Sequence, residues 1–342
     1  MPHYNSFDSF QTKKSKEKKN KAKNKSLEKI NIDENFIIDS KQDYAIVMEV
    51  KYNNAYVLYN GEVIVAKLRK DLNAICNKIL FPGDKVILEN KNNNYIIKNL
   101  IKRKSLLSRI KVDSTRQGSA SVKNIAANVD LAVIVVSAKE PPLHAKFIDR
   151  YLLILQSSNI DSVICLNKCE QKSKEEEEIL EIYRKIGIKI IETSTYNNVG
   201  IEELQKILKG KQAIFVGNSG VGKSSLTNAL MNLDSIKTGE ISQKSKRGCH
   251  TTTSSKYYVW DEKSSIIDTP GIRSLDVSSF DIDEIKEYFY EFREYNGKCK
   301  YKDCLHFMEP IDTCAIKQAV EAGRINKNRY ESYIRIVNEL SK

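Results

Sequence analysis

The chain has 342 residues, 41% hydrophobic and 29% charged, with a net charge of +12; at about 150 residues per domain this suggests two or three domains with an ample core. No apolar run of about 18 residues is present, so neither a membrane span nor a disulfide-stapled miniature fits. The positive balance favours a polyanionic partner, but half of it lies between residues 1 and 30, where nine lysines face Asp8, Glu17 and Glu28.

The first residues hold no apolar signal region, and their lysine-only bias argues against an arginine-rich transit peptide, so a cytoplasmic protein is expected. Seven cysteines, an odd number, fit a reducing compartment better than a disulfide framework.

In chain order, residues 1–40 are polar until Phe36, Ile37 and Ile38 and read as a disordered lysine-rich tail. Residues 41–101 carry short alternating runs at 44–48, 55–59, 63–66, 86–88 and 92–97, broken by Asn60-Gly61 and Pro82-Gly83-Asp84. Five such strands suit a closed barrel of the oligonucleotide-binding (OB) type, because closure removes exposed edges. Residues 102–124, with Arg103, Arg109, Arg116 and Gly118, read as a flexible basic connector. From 125 to 278, predicted strands at 131–137, 162–167, 189–193, 212–216, 257–260 and 265–268 are interleaved with helices near 146–157, 174–186 and 201–208. That alternation gives an α/β domain with a parallel sheet covered on both faces. Residues 279–342 read as a mainly helical module around a cysteine cluster.

Between an apolar strand and a helical run, Gly217-Asn218-Ser219-Gly220-Val221-Gly222-Lys223-Ser224, followed by Ser225, fits G-x-x-x-x-G-K-S. Glycines there let backbone N–H groups turn toward the α- and β-phosphates, Lys223 reaches the β/γ oxygens, and the Ser224 hydroxyl can ligate Mg²⁺. A glycine-rich turn that binds nothing is the competing reading. Asp268 ends a strand and runs into Thr269-Pro270-Gly271. An acid in that place can hold Mg²⁺ through water, and the glycine lets an N–H meet the γ-phosphate; an ordinary turn would use the same residues. Between the two, Gly248-Cys249-His250-Thr251-Thr252-Thr253 lies in the polar stretch 234–255. Hydroxyls there could close over Mg²⁺ and the γ-phosphate, while His250 taken alone reads equally as a solvated histidine.

Asn167-Lys168-Cys169-Glu170 closes the predicted strand at 162–167. A carboxylate in that place can accept from guanine N1–H and N2–H₂ while the lysine stem packs on the ring. Ser194, in Thr193-Ser194-Thr195 at the next strand end, marks a segment that could offer a backbone N–H to guanine O6. Cys299, Cys304, His306 and Cys314 supply three thiolates and an imidazole within sixteen residues, a closed tetrahedral Zn²⁺ set with no position left for water. Unligated thiols are the alternative. Cys76, Cys165, Cys169 and Cys249 read as ordinary thiols.

In this order the segments resemble the G4, G5, G1, G2 and G3 motifs of a GTPase, a circular permutation of the Ras-like order. With the barrel before and the cysteine cluster after, the chain resembles the bacterial small-ribosomal-subunit-dependent GTPase A (RsgA) family over residues 43–342. Ala126-Ala127-Asn128-Val129-Asp130, Phe147-Ile148-Asp149-Arg150-Tyr151-Leu152, Cys314-Ala315-Ile316 and Arg329-Tyr330-Glu331-Ser332-Tyr333 add to the match. The resemblance implies a multidomain GTPase that binds GTP or GDP through Asn167, Lys168, Glu170, Ser194, residues 217–225, Thr251, Thr252, Asp268 and Gly271. It further implies Mg²⁺ at Ser224, Thr251 and Asp268, a catalytic Lys223, and one structural Zn²⁺. The implied partners are the small ribosomal subunit and its rRNA, with the protein a monomer.

The implied role is late maturation of the 30S subunit, which stimulates hydrolysis, and hydrolysis then releases the protein; an rRNA-binding factor with incidental turnover is the alternative. Glu170 stands where the family carries Asp, and Cys249 where it carries Arg. Ile272 follows Gly271 where Ras-like enzymes place a water-orienting Gln, so the resemblance points to His250 as the water-positioning group. Because the chain runs from Gly271 straight into the C-terminal module, nucleotide state could be relayed to that module.

Overall fold

The computed structural model describes residues 36–39, 41–68, 76–92, 94–112, 120–238, 256–261, 263–268, 277–278 and 280–341. The first unit is built on β2 (Ala45–Lys51), β3 (Asn54–Tyr59), β4 (Glu62–Leu68), β5 (Lys85–Lys91) and β6 (Asn94–Ile101), with a short helix α1 (Cys76–Ile79) between β4 and β5. They pair in the order β5-β2-β3-β4-β6, and β6 returns to β5, so the sheet closes on itself as a five-stranded barrel. Only the β4–β6 closure within that ring is parallel. Period-2 alternation turns Ala45, Val47, Ala55, Val57, Ala66 and Val86 fully inward, and the alanines suit the narrow lumen of so small a barrel.

Phe36 is fully buried in that same core, and β1 (Ile37–Ile38) pairs in parallel with the end of β6. The first apolar triple of the chain therefore belongs to the barrel and not to the tail. Its partner strand lies about sixty residues downstream, beyond the reach of any local pattern. The remainder of the tail, residues 1–35, lies outside the described residues.

The basic stretch that follows is not a flexible connector over its described part. It forms an antiparallel ribbon of β7 (Leu106–Val112) and β8 (Ala120–Ala127). Ile110 and Val112 alternate with Arg109 and Lys111, a strand period hidden by the charge. At its base, Leu107, Ile125 and Ala126 are buried in the core of the next unit.

That unit is a six-stranded sheet in the order β11-β10-β9-β12-β14-β13. Its members are β9 (Leu131–Ser137), β10 (Asp161–Asn167), β11 (Ile190–Glu192), β12 (Gln212–Val216), β13 (Lys256–Val259) and β14 (Ser265–Asp268). All pairings are parallel except that of the edge strand β13 with β14. Every residue of β9 is buried, as expected of a strand covered on both faces. One face packs on α2 (Ala145–Ser157) and α3 (Lys174–Lys185), the other on α4 (Ile201–Leu208) and α5 (Lys223–Thr238).

The barrel meets this sheet through backbone and side-chain amide bonds and through Ile46 and Met48, which pack against the larger core. Ala127 N–H donates to Pro82 O at 2.9 Å, Asn128 Nδ2 donates to Gly83 O at 2.9 Å, and Gln212 Nε2 donates to Ala127 O at 2.7 Å. Gly83 is required there: it has φ +91, and a Cβ would stand 2.2 Å from Ala127 O. Arg103 Nε pairs with the buried Asp84 at 2.6 Å, fixing the same turn.

The C-terminal unit holds less regular helix than its sequence suggests. A short helix α6 (Ile282–Ile285) leads into 3₁₀ turns at Lys286–Tyr288, Tyr290–Tyr295 and Ile311–Thr313, and only α7 (Ala315–Glu321) and α8 (Lys327–Ser341) are further α-helices. Between 296 and 310 the chain is shaped by the Cys/His cluster instead. Phe289, Phe292, Tyr333, Ile336 and Val337 join the core of α2 and α3 without a break. Across that seam Arg329, 2% exposed, donates from Nη1 to Asp149 Oδ1 at 2.5 Å and from Nε to Glu291 Oε1 at 2.7 Å. Tyr183 donates its hydroxyl to Asp149 at 2.6 Å. Among the described residues no helix is long and apolar enough to cross a membrane.

Replacing Arg329 with Met would leave two buried carboxylates without their cation, which costs about 3–5 kcal/mol. Urea unfolding of the full chain should show that loss; an unchanged midpoint would remove the pair from the account of the seam.

Candidate functional site

The strand order reverses between β9 and β12: β10 and β11 extend to one side, β14 and β13 to the other. Loops leaving the carboxyl ends of strands diverge at such a reversal and open a crevice. Asn167 ends β10, Gly217 follows β12, and Asp268 ends β14. Three motifs spread over a hundred residues thus lie at one edge of the sheet.

The loop after β12 turns on Gly217, Gly220 and Gly222, with φ of 148°, 86° and 96°, a region that other residues seldom adopt. A Cβ on Gly217 would fall 2.3 Å from Val135 O, and one on Gly222 2.1 Å from Asn167 Nδ2. The close approach has a purpose: Asn167, 1% exposed, donates from Nδ2 to Val221 O at 2.9 Å, and its Oδ1 accepts from Thr193 Oγ1 at 3.3 Å. Ser219, Gly220, Ser224 and Ser225 face solvent at the mouth of the loop.

Lys223 is buried, and its Nζ donates to Gly217 O at 2.9 Å and Asn218 O at 2.8 Å. Burial holds its pKa below the ordinary lysine value, against the pull of the Asp268 carboxylate. Ser224 Oγ donates to Asp268 Oδ2 at 3.0 Å.

On the other wall, Lys168 takes a left-handed conformation that turns its Nζ onto Glu140 O at 2.6 Å. Glu170 is exposed on the 3₁₀ turn Cys169–Gln171. Cys169 N–H donates to Thr193 O at 3.0 Å, and Ser194 exchanges two 3.0 Å backbone bonds with Val199. Asn167, Lys168, Glu170 and Ser194 therefore occupy two neighbouring strand ends. Thr251, Thr252, His250 and Gly271 lie outside the described residues.

The reading of the sequence missed two groups at this crevice. The loop after β9 places Pro141 and His144 beside Asn218 and Val221, and Tyr151 of α2 reaches the same pocket. Tyr151 lies on the apolar face of its helix, where periodicity marks it as core; the Pro141-Pro142 pair was the available signal of a shaped loop.

Apart from the crevice, one ligand atom each from Cys299, Cys304, His306 and Cys314 lies within 4.8 Å of the others. His306 Nδ1 stands 3.5, 3.2 and 3.4 Å from the sulfurs of Cys299, Cys304 and Cys314. A tetrahedral Zn²⁺ with usual bond lengths sets such N···S edges at ~3.6 Å, so the donor set is compatible with zinc. Burial, with help from the Lys286 charge, holds the His306 imidazole down to about 4 and hence neutral. The surrounding chain shapes the pocket: Glu309 accepts the N–H groups of Leu305 and Phe307 at 2.7 and 2.8 Å, and Ala315 N–H donates to Cys299 Sγ at 3.3 Å.

The chain matches the RsgA GTPase family model over residues 100–278. Relatives named small ribosomal subunit biogenesis GTPase RsgA include that of Caldanaerobacter subterraneus subsp. tengcongensis, 37% identical over 279 residues, or 81% of this chain and 87% of the relative. That of Thermotoga neapolitana is 36% identical over 285 residues, 82% of this chain and 90% of the relative. Among solved structures, YjeQ from Thermotoga maritima is 31% identical with a TM-score of 0.69, covering 87% of this chain and 98% of that one. YloQ, described as a circularly permuted GTPase, is 26% identical with a TM-score of 0.65, covering 87% and 95%. On these matches the chain belongs to the RsgA GTPase family.

Proposed function

We propose that this chain is a cytoplasmic, monomeric GTP hydrolase that acts as a late maturation factor of the small (30S) ribosomal subunit. In this reading the subunit and its rRNA stimulate hydrolysis to GDP and phosphate, and hydrolysis releases the protein. The observation that carries it is the bond from Asn167 to Val221 O, which couples the guanine-reading segment to the phosphate loop.

The phosphates lie against the N–H groups of residues 217–225 at the start of α5, where the helix end favours negative charge. Lys223 exchanges its two carbonyl partners for β/γ oxygens. Held in a poorly hydrated place, its ammonium loses little water in doing so and interacts more strongly with the incoming anion. The Ser224 and Asp268 oxygens, 3.0 Å apart, are hard donors that would hold Mg²⁺ together with Thr251, Asp268 through water. Mg²⁺ held there would neutralise charge on the phosphates. Thr252 and the Gly271 N–H hold the γ-phosphate, and His250 orients the attacking water. On the base side Lys168 covers the ring, Glu170 accepts from N1–H and N2–H₂, and Ser194 marks the O6 contact. The Cys299, Cys304, His306 and Cys314 set holds one structural Zn²⁺, with Lys298, Lys300 and Lys302 exposed around it for phosphate contacts.

Hydrolysis of GTP and ATP by the full chain, with and without purified small subunits, tests the reading. Slow GTP turnover, strong stimulation by subunits and no comparable ATP turnover are expected. Equal use of ATP, or indifference to subunits, would contradict it. Lys223→Ala should lower GTP hydrolysis at least ~100-fold, the scale on which a lost transition-state charge partner acts. Native mass spectrometry should find one zinc per chain, and chelation should expose amides of residues 296–314 to hydrogen exchange; full protection after complete chelation would deny the metal a structural role.

A further inference from the structure

The loop that leaves β9, residues 138–144, touches both walls of the crevice although no motif marks it. Its first N–H, that of Ala138, donates to Asn167 O at 3.2 Å. Two residues on, Glu140 O accepts from Lys168 Nζ at 2.6 Å. Pro141 then lines a pocket with Asn218 and Val221 of the phosphate loop, and a Cβ on Gly220 would stand 3.6 Å from its Cδ.

Glu140 and Lys168 both hold left-handed backbones, with φ of 47° and 56°. Residues with long side chains seldom adopt that region, and where they do the surroundings must enforce it. Part of what enforces it on the loop lies outside the crevice. Lys139 donates from Nζ to Glu176 Oε1 at 2.8 Å, and Ser137 Oγ donates to Lys139 O. Glu176, 5% exposed, is itself fixed: its Oε2 accepts from the Ser173 N–H at 2.8 Å and from the Ser173 hydroxyl at 2.6 Å, the capping box that starts α3. The residue next to Glu140 is therefore tied to a firmly held carboxylate on the neighbouring helix.

We infer that Lys139 and Glu176 are positioning residues for base binding: their ion pair fixes the loop after β9 so that Glu140 O holds Lys168 in place to cover the ring. A lysine held in place beforehand loses less side-chain freedom when the base arrives, and that saving appears as affinity. A half-exposed ion pair adds little to global stability, so its effect is read in nucleotide binding. The inference rests on the reading of the crevice as a guanine nucleotide site.

Calorimetric titration of the full chain with GDP and with inosine diphosphate tests it. Lys139→Met should weaken binding of both about threefold, the scale of one half-exposed ion pair. The factor should be the same for both, because a lysine stem covers the ring face and does not meet the 2-amino group. GTP KM should rise by that factor with kcat held within about twofold. Lys139→Arg should restore most of the affinity, and Glu176→Gln, which keeps an oxygen for Ser173, should lose it as Lys139→Met does. In a Lys168→Met background, Lys139→Met should weaken binding no further, since the two changes act through one side chain. Unchanged affinity in Lys139→Met, a loss confined to GDP, or a full further threefold loss on top of Lys168→Met would each overturn the inference. If the unaltered chain binds no guanine nucleotide, the crevice reading fails, and amide exchange at Ala138, expected to quicken in Lys139→Met, still decides whether the pair holds the loop.

Discussion

Parallel pairing of β9 with both β10 and β12 is the constraint on which the crevice depends. It turns an order of motifs along the chain into a ring of side chains at one sheet edge. Asn167 and Val221 are 54 residues apart, Ser224 and Asp268 44 apart, yet each pair is within hydrogen-bond reach. The contact between Asn167 and the phosphate loop is tight enough to demand glycine at 222. A buried amide costs free energy unless bonded, so the Asn167 to Val221 bond holds the two walls in register as well as joining their chemistry.

The two flanking units are attached to this sheet by different physics. The C-terminal unit shares an apolar core with α2 and α3 and adds a buried ion network at Arg329. Such networks contribute little net stability when formed but are costly to break from one side, so they fix one arrangement rather than deepen it. The barrel keeps a core of its own and docks through the Ala127 N–H on Pro82 O, the Asn128 amide on Gly83 O, and the packing of Ile46 and Met48 against the larger core.

Much of this was legible in the sequence because it is written locally. The phosphate loop shows as glycines between an apolar strand and a helix, the barrel as short period-2 runs, and the cysteine cluster as spacing. What was not legible is written in pairs. Asp149 and Arg329 stand in two stretches that carry the family resemblance, yet only the fold reveals that one neutralises the other. Phe36 reads as the end of a polar tail until β6 supplies its partner strand, and the β7–β8 ribbon is masked by its lysines and arginines. Tyr151 obeys helix periodicity so well that its place in the pocket beside Asn218 and Val221 goes unnoticed.

The tight packing of Gly222 on Asn167 is the point at which the account of the crevice is most exposed, and calorimetric titration of the full chain with GTP and Mg²⁺ tests it directly. One nucleotide should bind per unaltered chain, and Gly222→Ala should abolish binding while leaving the zinc content intact. Gly222→Ala binding GTP as tightly as the unaltered protein would contradict the account.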